Sequence, residues 1–164
     1  MNLVCNAGPV IALAKIDKLD LLHKLGGESV SIPETVFHEL LAKPGSETTR
    51  ILHATRSFLE VKIYSCDPPT QISEATRSLD LGEREVIVLA ASFQPVATAL
   101  IDDAAGRRVA RQLGLPVLGF AGILLAAKQL DLIEHVIPHL ELARINGYWL
   151  SDELIETVRA IAKE

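Results

Sequence analysis

The stretch Leu3–Ile16, LVCNAGPVIALAKI, decides how this chain is read. Three apolar residues suited to a strand (Leu3–Cys5) run into an uncharged amide, Asn6. Gly8-Pro9 then turns the chain into an apolar run, Pro9–Ala14, with the look of a helix. A buried strand that ends on a polar side chain where a helix begins is the pattern of a parallel α/β sheet. The stretch TALIDDAAGRRVARQLG, Thr98–Gly114, has the same shape. Strand Ala97–Ile101 meets the pair Asp102-Asp103, and helix Ala104–Leu113 follows and stops at Gly114.

Other segments extend the alternation. Strands are expected at Ser29–Ile32, Val61–Tyr64 and Pro116–Leu118. Helices are expected at Leu19–Leu25, Glu34–Leu41 (with Pro33 at its first turn), Glu47–Phe58, Gly82–Ser92 capped by Asp80, Ala121–Leu130 and Glu134–Leu142. Ser151 caps a last helix striped by Leu154, Ile155, Val158, Ile161 and Ala162. No internal repeat and no low-complexity linker interrupts the 164 residues, so residues 1–164 read as a single domain. The fold expected is α/β, a three-layer α/β/α sandwich on a mainly parallel central sheet.

Composition narrows the function. Hydrophobic residues make up 49% and aromatic ones only 4%, which builds a core from Leu, Ile, Val and Ala. The net charge of −5 means the surface as a whole does not attract a polyanion, so a nucleic-acid site has to be a local basic patch or be bridged by a metal. Cys5 and Cys66 match no metal spacing, and Cys5 in its apolar strand reads as a buried thiol of a reducing cytoplasm. No signal peptide is recognisable, and no apolar run reaches the roughly 20 residues needed to span a membrane. A soluble cytoplasmic protein is expected.

In parallel sheets ligands bind at the carboxyl ends of the strands. Asn6, Asp102 and Asp103 occupy such ends. Adjacent carboxylates repel, and a hard cation, Mg²⁺ or Mn²⁺, would relieve them. Equally, Asp102 or Asp103 can serve only to cap the helix that follows. Glu39 and Glu83, on two helices, are candidates to join them. A solvated surface glutamate explains the first as well, and the capping-box spacing from Asp80 explains the second. Arg107, Arg108 and Arg111 follow the aspartates and could grip a phosphate or simply solvate a helix face. His135 and His139 have Pro138 between them and no third ligand near. Tyr148-Trp149 reads as packed against the body or as part of a dimer contact. No P-loop, G-x-G-x-x-G or G-x-S-x-G occurs.

With these positions assembled the chain resembles the PIN-domain superfamily, and in particular a branch of short prokaryotic predicted nucleic-acid-binding proteins related to VapC toxins. The segments carrying the resemblance are VCNAGPVIALAKI, SIPETVFHELL, LDLGEREVIVLA, LIDDAAGRRVARQLGLPVLG and IPHLELARINGYWLSDELI, in that order. The resemblance implies a Mg²⁺- or Mn²⁺-dependent endoribonuclease acting on RNA. It puts the family's acids on Asn6, Glu39, Glu83 and Asp102 or Asp103. It also implies a homodimer and a small antitoxin partner, for which Pro9–Leu25 and Glu47–Phe58 would supply apolar contact surface. Asn6 departs from the usual aspartate of the wider superfamily and removes one charge from the metal site. The alternative is therefore a PIN fold of weak or no activity that binds nucleic acid or a partner. Phosphotransfer receivers and haloacid-dehalogenase-type phosphatases need an acid at the end of strand one, where this chain has Asn-Ala-Gly.

Overall fold

Strand β1 (Asn2–Cys5) lies at the centre of the molecule, and Leu3, Val4 and Cys5 are each 0% exposed. In the computed structural model it pairs in parallel with β2 (Ser29–Pro33) on one side and β4 (Thr98–Leu100) on the other. The edges are β3 (Leu59–Lys62) and β5 (Val117–Leu118), giving an all-parallel five-stranded sheet in the order β3-β2-β1-β4-β5. The structure describes residues 2–26, 29–42, 44–64 and 67–164. Cys66 lies outside the described residues.

Ten helices are seen among the described residues: α1 (Ala7–Lys15), α2 (Asp20–Gly26), α3 (Glu34–Ala42), α4 (Thr48–Thr55), α5 (Thr70–Ala75), α6 (Leu81–Ser92), α7 (Ala104–Gln112), α8 (Phe120–Gln129), α9 (Ile137–Ile145) and α10 (Asp152–Ala162). Right-handed crossovers, the rule for parallel strands, put α1–α4 on one face and α6 and α7 on the other. The packing agrees. Helix α2 lies on β1 and β2 with α8 against it, while α6 packs on β1, β2 and β4 and touches α7. This is the expected α/β/α sandwich.

Three local expectations shift. The third strand is Leu59–Lys62 rather than Val61–Tyr64, because the residue it buries is Leu59, paired with Val30, while Ile63 beyond it is 70% exposed. The helix near Glu134 starts at Ile137, which puts Pro138 in the first turn, where its missing N–H matters least. Helix α5 was not foreseen: it buries none of its residues, so it leaves no apolar stripe to read.

The sheet order fixes where a ligand can sit. From β1 the chain moves out to β2 and β3, then returns across the sheet to β4 and β5. The change of direction lies between β1 and β4, and crevices at such switch points are where open α/β sheets bind ligands. Asn6 and Asp102 sit at the two strand ends that flank it, joined by the hydrogen bond from Asn6 N–H to the Leu100 carbonyl at 2.9 Å.

Candidate metal centre

The polar side chains at this crevice come from strand ends, from helix starts and from the later part of helix α3. Asn6 is the N-cap of α1, and its Oδ1 accepts the Ala7 N–H at 2.9 Å. Asparagine is among the best residues for that position, which accounts for an amide here without any ligand. Asp103 likewise caps α7, accepting the N–H groups of Ala105 (2.7 Å) and Gly106 (3.2 Å) through one oxygen. Asp102 does something else. Its Oδ1 accepts the Phe120 N–H at the start of α8 at 2.8 Å, and its Oδ2 accepts the hydroxyl of Tyr148. The adjacent aspartates, equivalent in the sequence, thus point to different neighbours.

The glutamates come from α3 and α6. Asp80 caps α6 through the Glu83 N–H at 2.8 Å. Glu83 is only 5% exposed, and its carboxyl carbon lies 3.2 Å from where a Cβ on Gly106 would be. Its pKa is pushed up to about 7 by burial, then by the Asp80 and Asp103 carboxylates beside it, with the Asp80 backbone N–H pulling the other way. Glu39 is exposed as a residue, but its carboxylate rests against Gly82, 2.8 Å from the site of a missing Cβ. Loss of water there, followed by repulsion from Asp80 and Glu85, raises its pKa as well.

Glycines make the gathering of these acids feasible. Gly119 has extended backbone (φ −115°), yet a Cβ on it would stand 2.6 Å from Asp102 Oδ1. Gly82 bears the same relation to Glu39. In both cases the absent methyl group is the space the carboxylate occupies. The sequence shows these residues as glycines in or before first helical turns, and nothing in it tells which acid each one admits.

The charge balance is uneven. Among the described residues, no ion pair includes Glu39, Asp80, Glu83, Asp102 or Asp103, although other surface acids find Lys, Arg or His partners. Of the three arginines, Arg107 lines a cavity of about 740 Å³ together with Asp102, Asp103 and Tyr148, and its Nε is buried without a partner. Arg108 and Arg111 are exposed and do not line it. Apart from Thr157 the rest of that cavity is apolar, with Leu118, Leu125, Leu154 and Ile161 among its lining residues and Trp149, 84% exposed, also lining it.

The donor set suits some cations and not others. Among the described residues no three His, Cys, Asp or Glu side chains converge tightly enough to hold an ion alone. That does not fit a closed all-protein cage. The side chains present offer only carboxylate and amide oxygens, the donor type of hard ions such as Mg²⁺ or Mn²⁺, and any such ion would need water or phosphate oxygens to complete its shell. His139, whose Nδ1 pairs with the His135 carbonyl at 2.8 Å, stands in no such group.

The class of protein is set by an all-parallel α/β sandwich whose carboxylates at the topological switch point form no ion pair among the described residues. The model of a protein family described as a PIN domain matches residues 2–164, and the chain belongs to that family. No curated protein and no solved structure gives a significant match. Among the described residues no helix is long and apolar enough to cross a membrane.

Tyr148 is the functional candidate that the sequence reading missed. Its hydroxyl reaches Asp102 across 46 residues of chain, and Asp102 in turn helps push the phenol above its usual range after burial has done most of the work. Of Tyr148-Trp149, expected to pack against the body or to form part of a dimer contact, Tyr148 meets the Phe120 ring edge to face and hydrogen-bonds Asp102 through its hydroxyl, while Trp149 is exposed.

Proposed function

We propose that the protein is a metal-dependent ribonuclease that hydrolyses RNA phosphodiester bonds with Mg²⁺ or Mn²⁺. The observation that carries this reading is the set of site carboxylates that form no ion pair among the described residues, two of them, Glu39 and Glu83, raised in pKa by burial and then by other carboxylates nearby. Such repulsion is tolerated in a fold when a cation or a substrate relieves it. PIN-fold membership agrees with a nuclease.

Glu83 and Asp102 are the residues that would hold the ion, with Asp103 and Glu39 beside them and Asn6 able to lend the second lone pair of its amide oxygen. When bound, a divalent ion there would supply Lewis-acid chemistry toward a phosphate and toward water. The protein contributes the rest. Glu39 or Glu83 orients the attacking water and takes its proton, being a carboxylate within the cluster. Arg107, the guanidinium that lines the cavity, offsets charge that builds on the phosphate. Arg108 and Arg111 meet the flanking phosphates of a longer strand. The apolar trough and Trp149 form a surface on which a small antitoxin of the VapB type or a second copy of the chain could settle. Pro9–Leu25 does not serve for this, since its apolar side chains are in the core.

Asn6 favours a second reading. Its oxygen is engaged by the Ala7 N–H and carries no charge, which describes a PIN fold that binds RNA and cuts it poorly. Cleavage of a mixed RNA pool with Mn²⁺, against the same reaction with chelator, separates the two when wild type and Asn6→Asp are compared. Chelator-sensitive cleavage by wild type is the expected result. Cleavage by Asn6→Asp alone supports the binding module, and full activity of an Asp102→Ala/Asp103→Ala variant refutes the nuclease.

A further inference from the structure

Asp102 is restrained at both of its oxygens, and the two restraints support each other. The Phe120 N–H holds Oδ1 at 2.8 Å, and the Tyr148 hydroxyl holds Oδ2. The rings of the same two residues meet edge to face, with centroids 5.5 Å apart. Tyr148 is tethered further by its backbone N–H, which donates to the Ala143 carbonyl at 2.9 Å. Gly147, at φ +81°, makes the turn that sends the chain back from α9 toward the sheet. On the other side the hydroxyl lies 3.4 Å from where a Cβ on Gly8 would be, so α1 closes over it.

We propose that Tyr148 is a positioning residue of the metal centre, fixing the Asp102 carboxylate so that its free lone pairs are preset for a divalent ion. The inference rests on the metal-dependent reading above and names the residue that prepares its ligand. A carboxylate offers about four acceptor sites, two per oxygen. One donor on each oxygen locks the plane of the group and leaves one site on each for a metal or its water. The donor at Oδ2 is a neutral hydroxyl. A lysine or arginine in the same place would orient Asp102 equally well but would cancel the charge that attracts a cation. Hydrogen bonds of this kind behind metal ligands change affinity about 10–100-fold when removed.

The test is a Mn²⁺ titration of the full-length protein, following free ion by electron paramagnetic resonance, for wild type, Tyr148→Phe and Tyr148→His. Thermal melting of each variant is recorded alongside. Phenylalanine keeps the ring contact with Phe120 and deletes only the hydroxyl, so the expected outcome is Mn²⁺ binding about tenfold weaker or worse with cooperative melting retained. Histidine, which can still donate an N–H, should bind more tightly than phenylalanine, and it provides the comparison if the phenylalanine variant does not fold. A purely structural tyrosine would move the melting temperature and leave the affinity of the folded protein alone, and that result overturns the proposal. Wild-type protein that binds no Mn²⁺ overturns the metal-dependent reading itself, and the proposal with it. Equal binding by wild type and Tyr148→Phe removes the role of Tyr148 only.

Discussion

Gly119→Ala perturbs the site through a single methyl group. The backbone at Gly119 is extended (φ −115°, ψ −178°), a conformation alanine adopts without strain. The new Cβ would stand 2.6 Å from Asp102 Oδ1, whereas ordinary contact begins near 3.4 Å, so the oxygen must retreat by about 0.8 Å (3.4 − 2.6). A retreat of that size breaks the 2.8 Å bond from the Phe120 N–H. A hydrogen bond to a charged acceptor contributes about 1.5–3 kcal/mol, and reduced unfolded-chain entropy returns about 0.4–1 kcal/mol to alanine. The net loss expected is about 1–2 kcal/mol in urea unfolding, with Mn²⁺ affinity falling about tenfold or more. The cause is checked in an Asp102→Ala background, where the obstructing oxygen is gone. There the same Gly119→Ala change should be neutral or slightly stabilising. Equal stability losses in both backgrounds would refute the reasoning, because the methyl group would then be colliding with something other than Asp102.

Gly82→Ala acts the same way on Glu39, whose flexible end can swing clear, so unfolding stability should hold or rise by about 0.5–1 kcal/mol while metal-dependent cleavage falls. Asp103→Ala removes the α7 cap and should lower stability by about 0.5–2 kcal/mol; Asp102→Asn, which keeps the shape, should abolish Mn²⁺ binding with a smaller change in melting. Glu83 has a folded pKa near 7 against an ordinary 4.5, so the metal-free fold loses stability as pH rises from 4.5 through 7. Glu83→Gln should remove that slope and stabilise the metal-free protein at pH 8 by about 1–3 kcal/mol. Glu164 has the opposite sign. Its burial opposes ionisation, but Lys128 and the N–H groups of Val136 and Ile137 outweigh it and bring the pKa down to about 2. Its stabilisation is full above pH 4.5 and lost as pH falls toward 2, so Glu164→Gln should cost about 1–3 kcal/mol at pH 7 and nothing near pH 2.

The layered fold was legible because the two strands flanking the crevice end in short apolar runs, each closed by a polar residue, as in LVCN and ALID. Such runs are what a sheet covered on both faces requires. Edge strand β3 was misplaced by two residues at each end because an edge needs only one buried side chain, Leu59, to be held. The site was legible as residue types at strand and helix ends. It was not legible as contacts. Asp102 and Asp103 follow the same strand, and only the backbone direction after β4 makes one a helix cap and turns the other toward Tyr148. Tyr148 depends on where α9 stops and how Gly147 redirects the chain, which is a matter of tertiary packing. The glycines that admit the carboxylates read in sequence as ordinary helix-start residues.

The most direct trial of the whole account is anomalous diffraction from crystals soaked in Mn²⁺. The account predicts a peak at the carboxyl ends of β1 and β4, within ligand distance of Asp102 or Glu83 and completed by water. An ion bound only elsewhere on the surface, or an empty crevice at saturating Mn²⁺, would contradict it.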